Sequence, residues 1–331
     1  MKEIPLALES SATRRAVFAG AAALLAARAL PAGAAAPPAT EQMAGAYRHR
    51  VGDIQVTSLL DGNVAFPDAA LPNLFARFDA EVAARLRAEA FVPAGAVPLA
   101  VNAFLVNTGG RLVLIDAGAA TALGPTLGQL PRALTAAGVA PAQIDLIVLT
   151  HLHRDHSAGL MTAGGAALFP NAELLVAEAE VAYWTDAANE ASAPAPLRPF
   201  FAPARQALSA YGARVRRIAP DTEVAPGVRT LAVPGHTPGH LGVRIASGND
   251  QLLMWGDVVH TQALQFPRPD WSISFDSDPA LAAQTRMRLF DMAATDRIVV
   301  AGSHLSFPGL GHVTRRSEGF GFAPLMWRSA L

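Results

Sequence analysis

Cysteine is absent from the 331 residues. That single absence removes a disulfide framework, a thiolate nucleophile and a thiolate metal ligand. Lysine stands only at Lys2, so a Schiff base or a lysine general base is closed to the rest of the chain. Charge is sparse: 16% of residues carry it, the formal net charge is −1, and the arginines are scattered rather than clustered. No electrostatic footprint for nucleic acid follows from such a distribution. Apolar residues are plentiful instead, at 51%, which is enough to bury a large core and excludes a disordered chain.

The first 36 residues read as an export signal, leaving 37–331 as one folded domain. Thr13-Arg-Arg-Ala-Val-Phe-Ala-Gly20 puts paired arginines before the apolar stretch Ala16 to Ala27, and Ala34-Ala-Ala36 offers small residues to a signal peptidase. Arg28 cuts the apolar stretch short of the ~20 residues a spanning helix needs. A cleaved twin-arginine signal is the expectation, with a periplasmic or secreted product and no stable membrane association. Such signals carry folded proteins, which suits a chain that loads metal before export.

Further along, His151, His153, Asp155 and His156 crowd into Thr150-His-Leu-His-Arg-Asp-His-Ser-Ala-Gly159. Imidazoles at i and i+2, then a carboxylate and a third imidazole, can face one point only if the backbone turns sharply, as Ser157 and Gly159 permit. Imidazole and carboxylate without sulfur suit zinc, and also manganese, cobalt or iron. The run before the cluster, Ile144-Asp-Leu-Ile-Val-Leu-Thr150, is short, apolar and β-branched, so it predicts a buried strand with the histidines on its C-terminal loop.

The same placement recurs three times. His236 follows Val228 to Pro234, Asp257 follows Gln251 to Gly256, and His304 follows Arg297 to Ser303, each run strand-like. With these residues in view, the chain from about Val51 to Phe322 resembles the metallo-β-lactamase superfamily, whose pattern is His-x-His-x-Asp-His, a distant His, a bridging Asp and a last His. Within it, Leu123-Gly-Pro-Thr-Leu-Gly128, Gly235-His-Thr-Pro-Gly-His240 and Ser303-His-Leu-Ser-Phe-Pro-Gly-Leu-Gly-His312 resemble the methyl parathion hydrolase group of periplasmic dinuclear enzymes.

The resemblance implies an α+β sandwich with αββα layers and a dinuclear metal site between the sheets' ends. It implies that His151, His153 and His236 hold one divalent ion, that Asp155, His156 and His304 hold the other, and that Asp257 bridges them, with zinc as the first expectation. It also implies a homodimer acting on a small molecule rather than on nucleic acid. Asp116 would orient the histidine loop by resemblance; as a residue it reads equally as a turn cap with Gly118. His240 and His312 are candidates for ligands or for hydrogen-bond partners of ligands. His260 is expected only to border the cleft, and His49, in Tyr47-Arg-His-Arg50, to lie on the surface.

Elsewhere the pattern predicts a strand from Asp53 to Leu60 ending in an Asp61-Gly62 turn, and a hairpin of Ala103–Asn107 with Leu112–Asp116. Helices are expected over Leu127–Ala137, Ala179–Ala188 and Pro279–Ala294, the last capped by Asp278. A weak echo between Gly110–Asp116 and Asp250–Asp257 fits two αβ halves facing each other.

The chemistry expected of two cations ~3.5–4 Å apart is hydrolysis, because a shared water becomes a hydroxide nucleophile near neutral pH. Asp257 would set the spacing, and Asp155 would ligate and also accept a proton as the intermediate collapses, so these two are the expected catalytic carboxylates. Leu123, Trp184, Phe200 and Phe201 are the expected substrate pocket. Organophosphate-active relatives carry an aromatic where this chain has Leu123, which points to lactones or aryl esters ahead of phosphotriesters. A β-lactamase and a mononuclear iron persulfide dioxygenase are the less favoured activities; the full second ligand set argues against the latter.

Overall fold

Strand β4 (Leu112–Ile115) shows why this chain builds layers. Val113 and Ile115 face one apolar cluster while Leu114 faces another, so alternate side chains of the strand are buried on opposite faces. β11 (Asp250–Met254) repeats the device, with Leu252 and Met254 on one side and Leu253 on the other. A strand apolar on both faces must be covered twice, and the outcome is a four-layer sandwich.

The computed structural model describes residues 38–331, so the expected signal over 1–36 lies outside the described residues. Residues Ala44–Leu331 fold as one unit. The first sheet has the order β1 (Ala46–Val51), β2 (Ile54–Pro67), β3 (Ala96–Asn107), β4, β5 (Leu146–Val148), β6 (Glu173–Ala177), β7 (Val215–Ile218). It is antiparallel from β1 to β4 and parallel from β4 to β7.

The second sheet runs β8 (Glu223–Ala225), β9 (Val228–Ala232), β10 (Leu241–Ser247), β11, β12 (Val299–Ala301), β13 (Leu310–Arg315), β14 (Phe320–Pro324). Only β11 and β12 pair in parallel there. Between the sheets lies a core that includes Val56, Phe104, Ile115, Val148, Val243, Ile245, Leu252 and Ala301. Helices Leu130–Ala136, Glu178–Thr185 and Phe201–Tyr211 cover the outer face of the first sheet, and Pro279–Asp296 covers the second. The expected αββα sandwich is what the chain forms.

Several local expectations hold and some need correction. The hairpin β3–β4 is antiparallel as expected, and Asp278 caps the last helix by accepting from the Leu281 N–H at 3.0 Å. The Asp61-Gly62 turn does not exist: β2 runs on to Pro67, and a register shift between Leu60 and Gly62 marks a bulge instead. The bulge turns Asp61 inward, where its carboxylate accepts from the N–H groups of Ala119 (2.9 Å), Gly128 (3.2 Å) and Leu130 (2.9 Å). Those bonds pin the loop that carries Leu123. The helix expected over Ala179–Ala188 breaks at Asp186, which caps a second helix, Ala187–Ser192, through the Ala188 N–H.

Candidate metal centre

Every expected ligand sits at the C-terminal end of a strand. The His151–His156 loop leaves β5, His236 follows β9, Asp257 follows β11 and His304 follows β12. Rigid strands thus hold the loops, and the loops hold the reactive groups. After β5 the chain turns at once into one helical turn, Arg154–Ser157, closed by Ser157 Oγ donating to the His153 carbonyl at 3.0 Å. Gly159 is required because a Cβ there would fall on the Ala117 carbonyl oxygen. Gly256 is required for two reasons: its φ is +57°, and a Cβ would lie 2.5 Å from His240 Nε2.

Two sets of side chains converge on one point. His151, His153, His236 and Asp257 form one; Asp155, His156, His304 and Asp257 form the other, with the candidate ligand atoms of each set within 4.8 Å of one another. Asp257 belongs to both. Its Oδ2 lies 3.7 Å from His151 Nε2, 3.4 Å from His236 Nε2 and 3.0 Å from His304 Nε2, while its Oδ1 lies 3.2 Å from His156 Nε2. Asp155 Oδ2 reaches His156 Nε2 at 3.5 Å and His304 Nε2 at 3.4 Å.

The far ring nitrogens set the tautomers. His156 Nδ1 donates to Asp116 Oδ2 at 2.8 Å, His236 Nδ1 to Asp276 Oδ1 at 2.8 Å, and His304 Nδ1 to the Ala100 carbonyl at 2.7 Å. Thr150 donates its hydroxyl to Asp116 Oδ2 at 2.9 Å and accepts from His151 Nδ1 at 3.0 Å. Each of these bonds engages Nδ1 and aims Nε2 inward, the arrangement that orients imidazole ligands. His153 is reversed: its Nδ1 faces His236 Nε2 at 3.0 Å. His151 Nε2, His156 Nε2 and Asp257 Oδ1 are buried with no hydrogen-bond partner. Orphaned buried nitrogen and oxygen atoms at the meeting point of two ligand sets fit divalent cations.

The electrostatics agree. Burial opposes charge on His236, yet the carboxylates of Asp257 and Asp276 push its pKa up to about 9. Burial opposes it on His304 too, and Asp257 with Asp155 drives that ring up to about 10. Burial, with His156 and His236 alongside, holds His151 and His153 well below the usual histidine range. The buried carboxylates therefore call for positive charge at the centre.

The remaining expectations divide. Asp116 orients the histidine loop rather than capping a turn, since it accepts from Thr150 and His156 together. His240 accepts from the Asp257 N–H at 3.2 Å and belongs to neither ligand set; His312 lies on β13 and is also in neither. His49 lies half-buried on β1 rather than fully at the surface. His260 does more than border the cleft, for it is buried with Nε2 3.3 Å from Asp257 Oδ2. Burial holds its pKa down, at about 4.

A cavity of about 310 Å³ opens over the cluster, lined among others by Val64, Phe66, Leu99, Leu123, Phe200 and Phe275, with His153, Asp155, His236, Asp257, His260 and His304. Leu123 and Phe200 line it as expected. Trp184 and Phe201 do not. Trp184 is fully buried beneath His153 because its indole N–H donates to the buried Glu180 at 2.8 Å, and Phe201 packs on Trp184 in the core. Glu180 itself escaped sequence reasoning. Its carboxylate accepts from the Leu152 and Gly239 N–H groups, at 3.0 and 2.8 Å, and so ties the two histidine-bearing loops together.

The family model described as the metallo-beta-lactamase superfamily matches residues 96–304. The chain belongs to that superfamily. Among curated relatives, an N-acyl homoserine lactonase of Bacillus sp is 30% identical over 161 residues, covering 48% of this chain and 56% of the relative. Another from Bacillus cereus is 28% identical over 155 residues, covering 46% and 52%. The chain therefore spans about half the length of the curated relatives it matches.

Among solved structures, the metallo-β-lactamase-superfamily chain is similar to AbOPH, a hydrolase in the beta lactamase superfamily. Identity is 33% and the TM-score 0.81, over 87% of this chain and 100% of that one. AidC, a dizinc quorum-quenching lactonase solved with the product N-hexanoyl-L-homoserine, is 25% identical with a TM-score of 0.81 over the same shares.

Proposed function

We propose that the protein is a dinuclear metal-dependent hydrolase of lactones or aryl esters. The observation that carries this reading is the pair of ligand sets sharing Asp257 at the floor of an apolar cavity. Similarity to lactonases, one of them dizinc, supports both the substrate class and zinc as the metal. In this reading His151, His153 and His236 hold one ion, and Asp155, His156 and His304 the other. Bound ions of this kind supply a hydroxide nucleophile at neutral pH and polarise the scissile carbonyl.

The chain's own residues do the rest. Leu123, Phe200 and Phe275 take the apolar part of the substrate and exclude water. Asp155 keeps its side chain 14% exposed and lines the cavity, so it can accept a proton beside the reacting carbon and pass it to the leaving oxygen. Asp116, Asp276 and the Ala100 carbonyl hold the imidazoles in their reactive tautomers. Phosphotriesters are a side activity in this reading, because Leu123 stands where organophosphate-active relatives carry an aromatic residue.

The test is a panel of lactones, aryl esters, phosphotriesters and β-lactams given to purified protein of known metal content. Two zinc ions per chain with highest kcat/KM on lactones or aryl esters is the expected result; best turnover of β-lactams, or one iron per chain with persulfide oxidation, overturns it. We also propose a homodimer, supported by the family resemblance, and twin-arginine export to the periplasm, supported by Arg14 and Arg15 before an apolar stretch. Light scattering tests the dimer. Arg14→Lys with Arg15→Lys should hold the precursor in the cytoplasm, and a mature periplasmic product from that variant refutes the route.

A further inference from the structure

Arg154 stands between two ligand-type residues, His153 and Asp155, yet takes no part in either ligand set. Its side chain lines the cavity, where it is the one guanidinium or ammonium group among the lining residues. The guanidinium carbon lies 5.7 Å from the centroid of the Phe200 ring, and Nε is buried without a hydrogen-bond partner. No carboxylate among the described residues pairs with it. Asp155, its neighbour in sequence, is turned away toward His156 and His304 at 3.5 and 3.4 Å.

Arg205 and Arg286 show how arginines elsewhere in the chain are satisfied. Arg205 forks onto Glu190, and the buried Arg286 donates to three backbone carbonyls with Asp276 at 3.9 Å. A permanently charged group half-withdrawn from water and left unpaired is costly. A planar guanidinium in the otherwise apolar wall of the cavity is matched by a carboxylate, which it can meet with two parallel hydrogen bonds.

We propose that Arg154 is a specificity-determining residue that pairs with a carboxylate on the substrate, so that preferred lactones or esters carry an anionic group a short spacer away from the scissile carbonyl. This rests on the hydrolase reading above and names the substrate class within it. A neutral acyl chain would leave the guanidinium unpaired. An anionic one satisfies it while the carbonyl end reaches the ligand cluster. The cation–π contact with Phe200, 5.7 Å from the ring centroid, limits the freedom of the guanidinium before binding.

The experiment compares mono(4-nitrophenyl) adipate with 4-nitrophenyl adipamate, in which a neutral primary amide of nearly the same size replaces the terminal carboxylate, using zinc-loaded protein. The native protein should favour the anionic ester by about tenfold or more in kcat/KM, chiefly through KM, the scale of a charge-assisted hydrogen bond. Arg154→Leu should bring the ratio to one or below, and Arg154→Lys should keep part of the preference. Zinc content and circular dichroism check that the variants are folded. A native ratio of one or less, or a ratio unchanged in Arg154→Leu, overturns the proposal.

Calorimetry with 5-phenylvalerate and 5-phenylvaleramide gives a second readout that needs no turnover. Tighter binding of the acid that disappears in Arg154→Leu supports the pairing; tighter binding that persists in the variant assigns the acid to the zinc ions and refutes it. If neither ester is hydrolysed but the calorimetric preference follows Arg154, the hydrolase reading fails while the anion site stands.

Discussion

The two halves of the sandwich supply the centre in different ways. The first sheet contributes four ligand-type residues from one loop, His151 to His156, after β5; the second contributes three from three loops, one each after β9, β11 and β12. One loop held by Glu180 and Asp116 places its four groups together or not at all. Three separate strand ends must be in register across a sheet before His236, Asp257 and His304 meet. The first half is therefore a preformed cradle, and the second is an assembly that reports whether the sheets have packed correctly.

Asp257 is where the comparison can be broken most severely, because it is the second half's residue that faces both ligand sets. Asp257→Asn keeps the size and removes the charge; kcat should fall roughly a hundredfold or more, with loss of one metal ion per chain. Metal analysis beside steady-state kinetics decides it, and a variant within twofold of the native protein means that Asp257 does not join the halves.

Next in size is the packing beneath the cradle. Trp184→Ala removes a fully buried ring and leaves the Glu180 carboxylate short of a donor, so stability should fall by about 3–5 kcal/mol. Denaturant unfolding measures this. Because Trp184 lies outside the cavity, turnover of aryl and aliphatic substrates should fall together; a selective loss of aryl turnover would return Trp184 to the pocket.

The orienting carboxylates sharpen the contrast further. Asp116→Ala frees His156 and Thr150, both in the cradle, whereas Asp276→Ala frees one ligand, His236, together with the Ile273 N–H outside the ligand sets. Each should cost about 10- to 100-fold in metal affinity, the range for partners that orient a ligand, with Asp116 at the larger end. Zinc titration against a competing chelator ranks them. Equal losses would mean that contiguity in the first loop confers no cooperativity.

The smallest effect lies in the cavity wall. Leu123→Phe adds a ring facing the aryl leaving group, and an aromatic pair is worth about 0.5–1.5 kcal/mol. The ratio of phosphotriester to lactone kcat/KM should therefore rise roughly three- to tenfold. A fixed ratio means that Leu123 touches no leaving group.

Much of the centre was legible in the sequence because its signals are local. Strand, turn and ligand lie within ten residues of one another at all four sites, and the β-branched runs announced the strands. The failures are equally physical. An Asp-Gly pair after an alternating strand reads as a hairpin turn, but the partner strand β3 continues past it and pulls both residues into a bulge. Trp184 and Phe201 read as cleft walls because aromatics near a site serve either role. Glu180 decided the matter by offering the indole a buried acceptor.

By itself the sequence determined which residue types meet at the centre and which strand ends carry them, since ligand chemistry and alternation are properties of short segments. Family resemblance then paired them. Only the tertiary structure decided that His260 faces Asp257, that Asp276 orients His236 from 40 residues away, and that Arg154 lines the cavity beside Phe200 with its Nε unpartnered. These outcomes depend on where loops from two sheets come to rest against each other. Burial and the pairing of polar groups select that arrangement, and neither acts until the core between the sheets has closed.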